Sequence, residues 1–507
     1  MNQTLRSFLY DPVRARILYD FLSATASFYS IWILFSVYET STLPLWNGVI
    51  YAFIFLLWCA FFGVYTRLRL VHISVKLTAL LCVCVCTIVS LSFFTSSSFF
   101  LFLVVFVTYI AVSLPRLSFA FTLEQHGDFV HSTLGSTHLP ILVVGGGGYI
   151  GSHVVEQLLK EGYDVRVFDT FVYGKEVLAA FAKNKHLELI EGDISDMYKL
   201  TLAMQGVGAV IHLAGIVGDP ACAVDPVLTR HVNIISTRIL KESAKAFGVG
   251  RFIFASSCSV YGAADHVVDE QSKLNPVSLY AQTKIDSEEE LLHDTHDTFH
   301  PTILRFATVF GHSRKPRFDL VANLFVAQAY NDGVITLTGA DQWRPFIHVS
   351  DVARAIILTL KAPQTAVSRK IFNVGDEELN KTIEHMATYA GEIVGKNKKG
   401  KNIRIERAQT RNDRRNYVVS FKRIQQVLGF HHSISIPDGM KEMYVCWKDG
   451  IYTKSYTDGY YSNLETAKEL KTAFHSKQYQ RSHISIMSEI AHMDTARSTS
   501  KQKKKLN

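Results

Sequence analysis

A glycine-rich turn between an apolar strand and a helix is the feature of this sequence that most constrains its fold. The predicted strand Ile141–Val144 runs into the segment 145–151, Gly-Gly-Gly-Gly-Tyr-Ile-Gly, and a helical pattern follows at Ser152–Glu161. Glycines at this spacing let the chain turn tightly, bring backbone N–H groups against a pyrophosphate and allow the helix to pack on the strand. The segment therefore predicts a dinucleotide-binding turn. Its predicted contacts are Gly145, Gly148, Tyr149, Ile150 and Gly151.

An acid at the end of the second predicted strand indicates which dinucleotide the turn binds. The strand Val165–Phe168 is followed directly by Asp169, where a carboxylate can accept hydrogen bonds from the diol of an adenosine ribose. The same carboxylate would repel a 2′-phosphate, and no arginine directly follows it, so NAD is favoured over NADP. A surface aspartate that caps a turn is the alternative. Asp193, after the third predicted strand, could reach the adenine, although a helix-capping aspartate has the same appearance in sequence.

Short apolar segments recur after this unit at the spacing that is typical of alternating strands and helices. Further strands are predicted at 187–190, 209–213, 251–255 and 302–306, with helical patterns between them. This alternation predicts an α/β Rossmann fold, in which a doubly wound parallel sheet is covered by helices on both faces.

A tyrosine and a lysine four residues apart are the predicted centre of the chemistry. Tyr280 and Lys284 stand in the segment Tyr-Ala-Gln-Thr-Lys, and this spacing places both on one face of a helix. There the ammonium group and an oxidised nicotinamide can lower the pKa of the phenol toward neutrality, so that Tyr280 becomes a general base. The spacing alone is common and would be uninformative. Here it follows the glycine turn, Asp169 and a serine-rich strand end at 254–262.

In this order, the motifs closely resemble those of the extended short-chain dehydrogenase/reductase family, specifically its NAD-dependent nucleotide-sugar epimerases and dehydratases. The resemblance covers residues 139 to about 463 and implies a smaller C-terminal α/β subdomain that binds the substrate. The family's catalytic positions match Ser257, Tyr280 and Lys284. Its positions beside the nicotinamide match Leu213, Ala214, Tyr280 and Lys284.

The resemblance also implies contacts to a nucleotide sugar from the C-terminal subdomain. The matching stretches are 317–323, 343–346 and 413–417, and the implied contacts are Asn323, Arg344 and Arg415. Arginines suit a diphosphate because their planar guanidinium groups bind its oxygens bidentately. Ordinary salt bridges are the alternative for the two arginines, and a helix-surface amide is the alternative for the asparagine. Whether the nucleotide is UDP or GDP stays open.

The residues after Ser257 separate the reactions of the family. Its 4,6-dehydratases carry an acid pair immediately after that position, because removing water requires an acid for the leaving hydroxyl and a base at C5. Cys258 and Ser259 stand there instead, so epimerisation at C4 through a transient 4-keto sugar is favoured, with a 4,6-dehydratase or a reductase as alternatives. Thr308 replaces an asparagine that galactose epimerases place against the substrate, which leaves the hexose open. A non-catalytic NAD-binding membrane scaffold or sensor is the alternative of another class, and the intact catalytic positions argue against it.

Four uncharged apolar runs precede the α/β region. Each is about long enough for a helix to cross the hydrocarbon core of a bilayer. Lysines and arginines stand before the first run and between the second and the third. The positive-inside rule therefore predicts a multi-pass integral membrane protein whose catalytic domain and both termini are cytoplasmic. The runs are 21–38, 43–65, 77–94 and 99–114.

The predicted domain organisation has four segments: a four-helix transmembrane anchor at 1–116, a linker at 117–138, the enzyme domain at 139–475 and a disordered basic tail at 476–507. The expected partners are the nucleotide sugar, the lipid bilayer, a second copy in a homodimer and glycan-assembly enzymes of surface glycan synthesis. The net charge of +8 is explained by solvated loops and a membrane surface, so no nucleic acid partner is expected. Seven cysteines without a partner pattern predict neither disulfides nor a zinc site.

Overall fold

The computed structural model of the protein describes residues 139–293, 298–408 and 415–475, all of them in a unit of the chain that begins at Ser136. The predicted anchor, the linker and the tail lie outside these residues. The predicted segment boundaries therefore stay predictions.

Strands of the described residues form one large sheet and three small ones. They are β1 (Ile141–Val144), β2 (Val165–Asp169), β3 (Leu187–Glu191), β4 (Ala209–His212), β5 (Arg251–Ser257), β6 (Ala263–Val268), β7 (His300–Phe306), β8 (Thr308–Phe310), β9 (Val334–Leu337), β10 (Trp343–His348), β11 (Ile371–Val374), β12 (Asn380–Thr382), β13 (Arg404–Arg407) and β14 (Asn416–Val419). The large sheet has the order β11-β7-β5-β4-β1-β2-β3, and every neighbouring pair in it is parallel. The predicted doubly wound parallel sheet is confirmed.

The central strands form because they are short apolar runs that can be buried on both faces. All four residues of β1 are buried. Ile141 and Val143 pack in one hydrophobic cluster, whereas Leu142 and Val144 pack in another, because alternate side chains of a strand point to opposite faces. These two clusters are the cores on either side of the sheet.

Helices cover both faces of this sheet. They are α1 (Gly151–Lys160), α2 (Met197–Met204), α3 (Asp219–Ala223), α4 (Pro226–Arg230), α5 (Ser236–Ala246), α6 (Leu279–Leu292), α7 (Val321–Asp332), α8 (Val349–Lys361), α9 (Gln364–Val367), α10 (Ile383–Val394), α11 (Lys422–Leu428), α12 (Ile436–Lys448) and α13 (Asn463–Phe474). Side chains of α1 and α8 fill the core on one face, and those of α2 and α5 fill the core on the other. A π-helical turn, His231–Ile235, joins α4 to α5.

The later part of the chain builds a smaller α/β subdomain. Its three-stranded sheet has the order β12-β10-β8, and β9 pairs with β13 in a separate two-stranded sheet. Helices α7, α10 and α12 pack together beside these strands. The buried side chains between them include Phe325, Phe346, Met386 and Met440. This arrangement agrees with the subdomain that the family resemblance implied, and its boundary with the central sheet is where a substrate cleft is expected.

The localisation expected from the sequence has to be corrected. Within 139–293, 298–408 and 415–475, no helix is both long enough and apolar enough to cross a membrane. The longest of them, α6, has 14 residues and contains four acids, and a helix of that length spans only about 21 Å against a hydrocarbon core of about 30 Å. The four apolar runs lie outside the described residues. The assignment as a multi-pass integral membrane protein with a cytoplasmic domain and termini is therefore withdrawn.

Candidate active site

The glycine turn lies at the carboxyl end of β1, where the strand order of the sheet changes direction. Gly145 has a φ of +86°, and a side chain there would place its Cβ 2.6 Å from the amide nitrogen of Ala214. A Cβ on Gly151 would collide with the carbonyl oxygen of Gly145. Glycine at both positions therefore allows α1 to begin this close to β1, with the N-terminus of the helix facing the cleft. Such a cradle fits the pyrophosphate of a dinucleotide.

Asp169 closes this turn at the end of β2. Its Oδ2 accepts a hydrogen bond from the backbone N–H of Gly147, and its Oδ1 accepts one from Phe171, both at 2.8 Å. Burial raises the pKa of the Asp169 carboxyl, while the two amides favour its ionised form. Each carboxylate oxygen has a second lone pair that can accept a hydrogen bond from a ribose hydroxyl. On the same wall, Oδ1 of Asp193 accepts hydrogen bonds from the backbone and the hydroxyl of Ser195 at 2.8 and 2.6 Å.

One cleft joins the residues predicted to bind the cofactor. Except for Tyr280 and Lys284, all of them line it. They are Gly145, Gly148, Tyr149, Ile150, Gly151, Asp169, Asp193, Leu213 and Ala214. The motifs of β1, β2 and β4 therefore meet in one place, as the carboxyl ends of neighbouring parallel strands do.

Sequence reasoning did not place the outer wall of the cleft, although it counted the stretch 317–323 among the substrate contacts. It includes Tyr173, Lys315 and Arg317, together with one side of α13. The side chain of Asn463, at the start of α13, donates a hydrogen bond to the carbonyl of Val217 at 3.1 Å and accepts one from the Tyr173 hydroxyl at 3.3 Å. The α13 residues that line the cleft are Asn463, Thr466, Ala467 and Leu470. No local motif marks this helix, because its place depends on contacts with residues far away in the chain.

Replacing Gly151 by alanine is expected to weaken NAD binding. The new Cβ would push α1 away from the Gly145 carbonyl. Each 1.4 kcal/mol of binding free energy lost in this way raises the dissociation constant of NAD about tenfold. Titration of the purified variant with NAD measures the effect. Gly391→Ala is the matched control, because a Cβ at Gly391 meets no atom closer than 3.9 Å. An unchanged NAD affinity in the Gly151 variant would contradict the role given to the turn.

Ser257, Tyr280 and Lys284 meet beside this cleft. β5 ends at Ser257, and Tyr280 lies in the first turn of α6, close enough to Ser257 for the two side chains to interact. Nζ of Lys284 donates to the carbonyl of Ala255 at 2.8 Å and lies 5.8 Å from the centre of the Tyr280 ring. Tyr280 packs in the same hydrophobic cluster as Ile216, which lines the cleft. The structure thus brings together the three residues that were predicted to be catalytic.

Burial shapes the ionisation of both groups on α6. It raises the pKa of the Tyr280 phenol above its ordinary value, and the interaction with the Ser257 side chain opposes this rise. Burial also lowers the pKa of Lys284 to about 8. The predicted lowering of the phenol pKa was for the protein with oxidised NAD bound, so it stays a prediction. The expected lowering requires the further positive charge of an oxidised nicotinamide.

A buried ion pair lies next to these residues and was also missed. Glu288, one helical turn after Lys284 on α6, pairs with Arg305 on β7 at 2.6 Å, and each side chain is 3% exposed. The hydroxyl of Ser256 donates to Glu288, and Nη1 of Arg305 donates to the Tyr261 hydroxyl at 2.9 Å. The pair therefore ties the end of β5 to α6. Its sequence signal is the four-residue spacing of Glu288 from Lys284, which places both on one helix face.

The two predicted substrate arginines are neighbours at the boundary of the smaller subdomain. Arg344 donates a hydrogen bond to the backbone carbonyl of Arg415. Nη1 of Arg415 lies 3.2 Å from Oδ2 of Asp219, which begins α3 just after β4. The guanidinium group of Arg344 also lies over the ring of Tyr417, 5.6 Å from its centre. These contacts connect the subdomain with the loop that follows β4.

Asn323 has a different environment from the two arginines. Its side chain is buried, with Oδ1 accepting from the backbone N–H of Gly311 at 3.0 Å and Nδ2 donating to the carbonyl of Arg317 at 2.8 Å. Asn323 is not among the residues that line the cleft, whereas Arg317 is. Its contacts favour a role in positioning Arg317 and the segment around it.

Known proteins resemble this chain over the region that holds the site. Residues 141–375 match the family described as the NAD dependent epimerase/dehydratase family. A putative UDP-glucose 4-epimerase of Methanocaldococcus jannaschii is 30% identical over 278 residues, which are 52% of this chain and 88% of that protein.

Two solved structures share the fold. The crystal structure of UDP-glucose 4-epimerase with UDP-glucose from Thermotoga maritima is 26% identical with a TM-score of 0.55, covering 62% of this chain and 100% of that one. MoeE5 in complex with UDP-glucuronic acid and NAD is 26% identical with a TM-score of 0.54, covering 61% and 99% of the two chains. The predicted NAD cofactor and the predicted enzyme class, an NAD-dependent nucleotide-sugar epimerase, are confirmed. The chain belongs to the NAD-dependent epimerase/dehydratase family.

Proposed function

We propose that this protein epimerises a UDP-linked sugar at C4 through a transient 4-keto sugar. The observation that carries the proposal is the convergence of Ser257, Tyr280 and Lys284 at the end of β5, beside the cleft that holds the glycine turn. The choice of UDP is supported by the relatives, which are named as UDP-glucose 4-epimerases or solved with UDP sugars.

Each residue of the trio has a separate role in this reaction. Ionised Tyr280 takes the proton from the C4 hydroxyl and later returns it. Ser257, whose side chain interacts with that of Tyr280, hydrogen-bonds the reacting oxygen throughout. Lys284, 5.8 Å from the phenol ring, stabilises the phenolate and holds the cofactor ribose. Bound NAD supplies a hydride acceptor for C4 and a positive charge beside the phenol.

The reaction leaves no net oxidation. In the forward half, the C4–H and O–H bonds break and a C4 ketone forms; in the second half, hydride and proton return to a keto sugar that presents its other face. The proton leaves and comes back through Tyr280, so acid and base are the same side chain. NAD is therefore held between turnovers rather than exchanged, with Gly145, Gly148, Gly151 and Asp169 as its proposed anchors.

Arg344 and Arg415 are proposed to bind the diphosphate of the substrate. Their backbone link places them together, and both belong to the subdomain that faces the end of β4. Arg415 is also paired with Asp219, so it is already directed toward the central sheet. Asn323 is proposed to act indirectly, because its side chain holds the segment of Arg317.

The residues after Ser257 favour epimerisation over dehydration. Cys258 is buried and donates to the carbonyl of Arg305 at 3.2 Å, and burial raises the pKa of its thiol. Ser259 is buried as well. Neither side chain can serve as the acid that a leaving hydroxyl requires. A role in surface glycan synthesis depended on the withdrawn membrane assignment and is not part of the proposal, while a homodimer stays a prediction.

A substrate panel tests the proposal. Purified protein is incubated with UDP-glucose, UDP-galactose, UDP-glucuronate and GDP-mannose, and products are identified by NMR while NADH absorbance is followed. We expect one C4 pair to reach equilibrium from both directions without a net rise in NADH. Accumulation of a 4-keto-6-deoxy sugar would show a dehydratase, and steady consumption of added NADH would show a reductase; either result would overturn the proposal.

A further inference from the structure

Two cations line the cofactor cleft and have no role in the proposed mechanism. Lys315 and Arg317 belong to the segment between β8 and α7, and both line the same cleft as the glycine turn. The acids of this cleft, Asp169 and Asp193, lie at or just after the ends of β2 and β3 instead. All the negative charge of NAD is on its pyrophosphate, so that group is the one that a cation of the cleft would bind.

The segment that carries the two cations is bonded directly to the glycine turn. The hydroxyl of Ser313 donates to the backbone carbonyl of Tyr149, within the turn, at 2.7 Å. Nδ2 of Asn323 donates to the carbonyl of Arg317 at 2.8 Å and to the hydroxyl of Tyr149 at 3.3 Å. Burial raises the pKa of Tyr149, and the positive charge of Arg317 opposes this rise. Arg317 is therefore held close to the turn that is expected to bind the pyrophosphate.

The guanidinium group of Arg317 is fixed on one side only. Its Nε and Nη2 donate to the two oxygens of Asp319 at 3.0 and 2.9 Å. In the described part of the chain, no residue accepts a hydrogen bond from its Nη1. The side chain lines the cleft and is 10% exposed. A donor that is nearly buried and lacks an acceptor is costly, so it calls for an acceptor that enters the cleft.

Lys315 adds a second positive charge to this wall. Its Nζ donates to the backbone carbonyl of Tyr460 and lies 4.2 Å from the centre of the Tyr173 ring. Burial lowers the pKa of Lys315 to about 8, and an anion nearby would favour its charged form. Asp319 balances only one of the two cations. The wall therefore keeps an excess of positive charge when Lys315 is protonated.

We propose that Arg317 binds the pyrophosphate of NAD through its Nη1 group, with Lys315 as a supporting charge. The backbone amides of the glycine turn donate hydrogen bonds but carry no full charge, so the cation supplies what the turn lacks. The substrate also contains a diphosphate. The cofactor is favoured because the segment of Arg317 is bonded to the glycine turn, whereas Arg344 and Arg415 belong to a different place in the fold. The inference requires NAD but does not depend on the reaction at C4.

Arg317→Gln tests the inference by binding rather than by turnover. The full chain, freed of bound nucleotide, is titrated with NAD, and the NAD-saturated protein is titrated with UDP. We expect the dissociation constant of NAD to rise about tenfold or more, as for a lost hydrogen bond to a charged group, and that of UDP to change less than about threefold. An unchanged affinity for NAD, or a greater loss for UDP than for NAD, would overturn the inference.

ADP-ribose identifies the part of the cofactor that Arg317 contacts. It contains the adenosine and the pyrophosphate of NAD but lacks the nicotinamide. We expect Arg317→Gln to weaken the binding of ADP-ribose by the same factor as the binding of NAD. A loss confined to NAD would place Arg317 at the nicotinamide and would overturn the assignment to the pyrophosphate.

Two further variants separate this contact from indirect effects. Arg317→Gln leaves Asp319 without its partner, so the double variant with Asp319→Asn removes both charges and leaves no unpaired acid in the wall. We expect the double variant to bind NAD about tenfold more weakly than the wild type as well. Wild-type affinity in the double variant would show that only the unpaired acid matters and would overturn the inference.

Arg404→Gln is the matched control for the change in charge. The Arg404 side chain is 72% exposed, and Arg404 is not among the residues that line the cleft. We expect this variant to bind NAD and ADP-ribose as the wild type does. An equal loss of NAD affinity in the Arg404 and Arg317 variants would reduce the effect to net charge and would overturn the inference.

Discussion

Tyr280→Phe is expected to lower kcat by about 10³-fold or more while NAD stays bound. The substitution removes the hydroxyl that interacts with Ser257, on the ring that lies 5.8 Å from Nζ of Lys284, and a positioned general acid–base group contributes about 10²- to 10⁴-fold. The ring keeps its apolar contacts with Ile216 in the same cluster, so the fold should persist. Steady-state kinetics with UDP-glucose and a separate NAD titration measure the two effects.

Tyr198→Phe is the control for this substitution, because Tyr198 is 73% exposed and lies on α2. We expect its kcat and its NAD affinity to equal those of the wild type. Should the Tyr280 variant retain more than about a tenth of the wild-type kcat, proton transfer by Tyr280 would contribute less than general acid–base catalysis normally does. Another residue would then have to be the base.

Arg305→Met is expected to lower the free energy of unfolding by about 3 to 5 kcal/mol, the typical loss when one partner of a buried ion pair is removed. Glu288 would be left without this partner at 3% exposure, and the Tyr261 hydroxyl would lose the hydrogen bond that Arg305 donates to it. Urea denaturation followed by circular dichroism measures the change through the unfolding midpoint.

The control is Lys468→Met, which breaks an ion pair with Glu465 on the surface of α13. That pair is 2.7 Å long, but its side chains are 55% and 45% exposed, and exposed pairs contribute about 0 to 1 kcal/mol. We expect almost no change in the midpoint. A loss below about 1 kcal/mol in the Arg305 variant would mean that water or a neighbouring donor compensates Glu288.

Much of the central sheet could be predicted because its signals are local. Apolar runs predicted β1 and β2 to within one residue of their observed bounds, and the four-residue spacing of Tyr280 and Lys284 placed them on one helix face. The residues predicted to bind the cofactor lie in one cleft, because the carboxyl ends of adjacent parallel strands meet at one edge of a sheet.

The parts that could not be predicted depend on pairings between distant segments. Glu288 meets Arg305 because β7 lies next to β5 in the sheet order, and no local pattern encodes that order. The pair of Arg415 and Asp219 joins residues 196 positions apart. The sequence placed Tyr280 beside Lys284, but the extent of burial of the phenol is set by α3 and α13, which only the folded chain brings to it.

Helix α13 forms one wall of the cofactor cleft, although it lies at the C-terminal end of the predicted enzyme domain. Its first residue is tied through Tyr173 to the segment that follows β2. The residue that follows its last turn, His475, is paired with Asp225 at 2.6 Å. In the proposed reaction NAD is restored in every turnover and can stay bound. The sugar nucleotide, in contrast, must bind and dissociate in each turnover. If the arginines bind the substrate as proposed, α13 and the smaller subdomain would let the residence time of NAD and the rate of substrate exchange change independently in evolution.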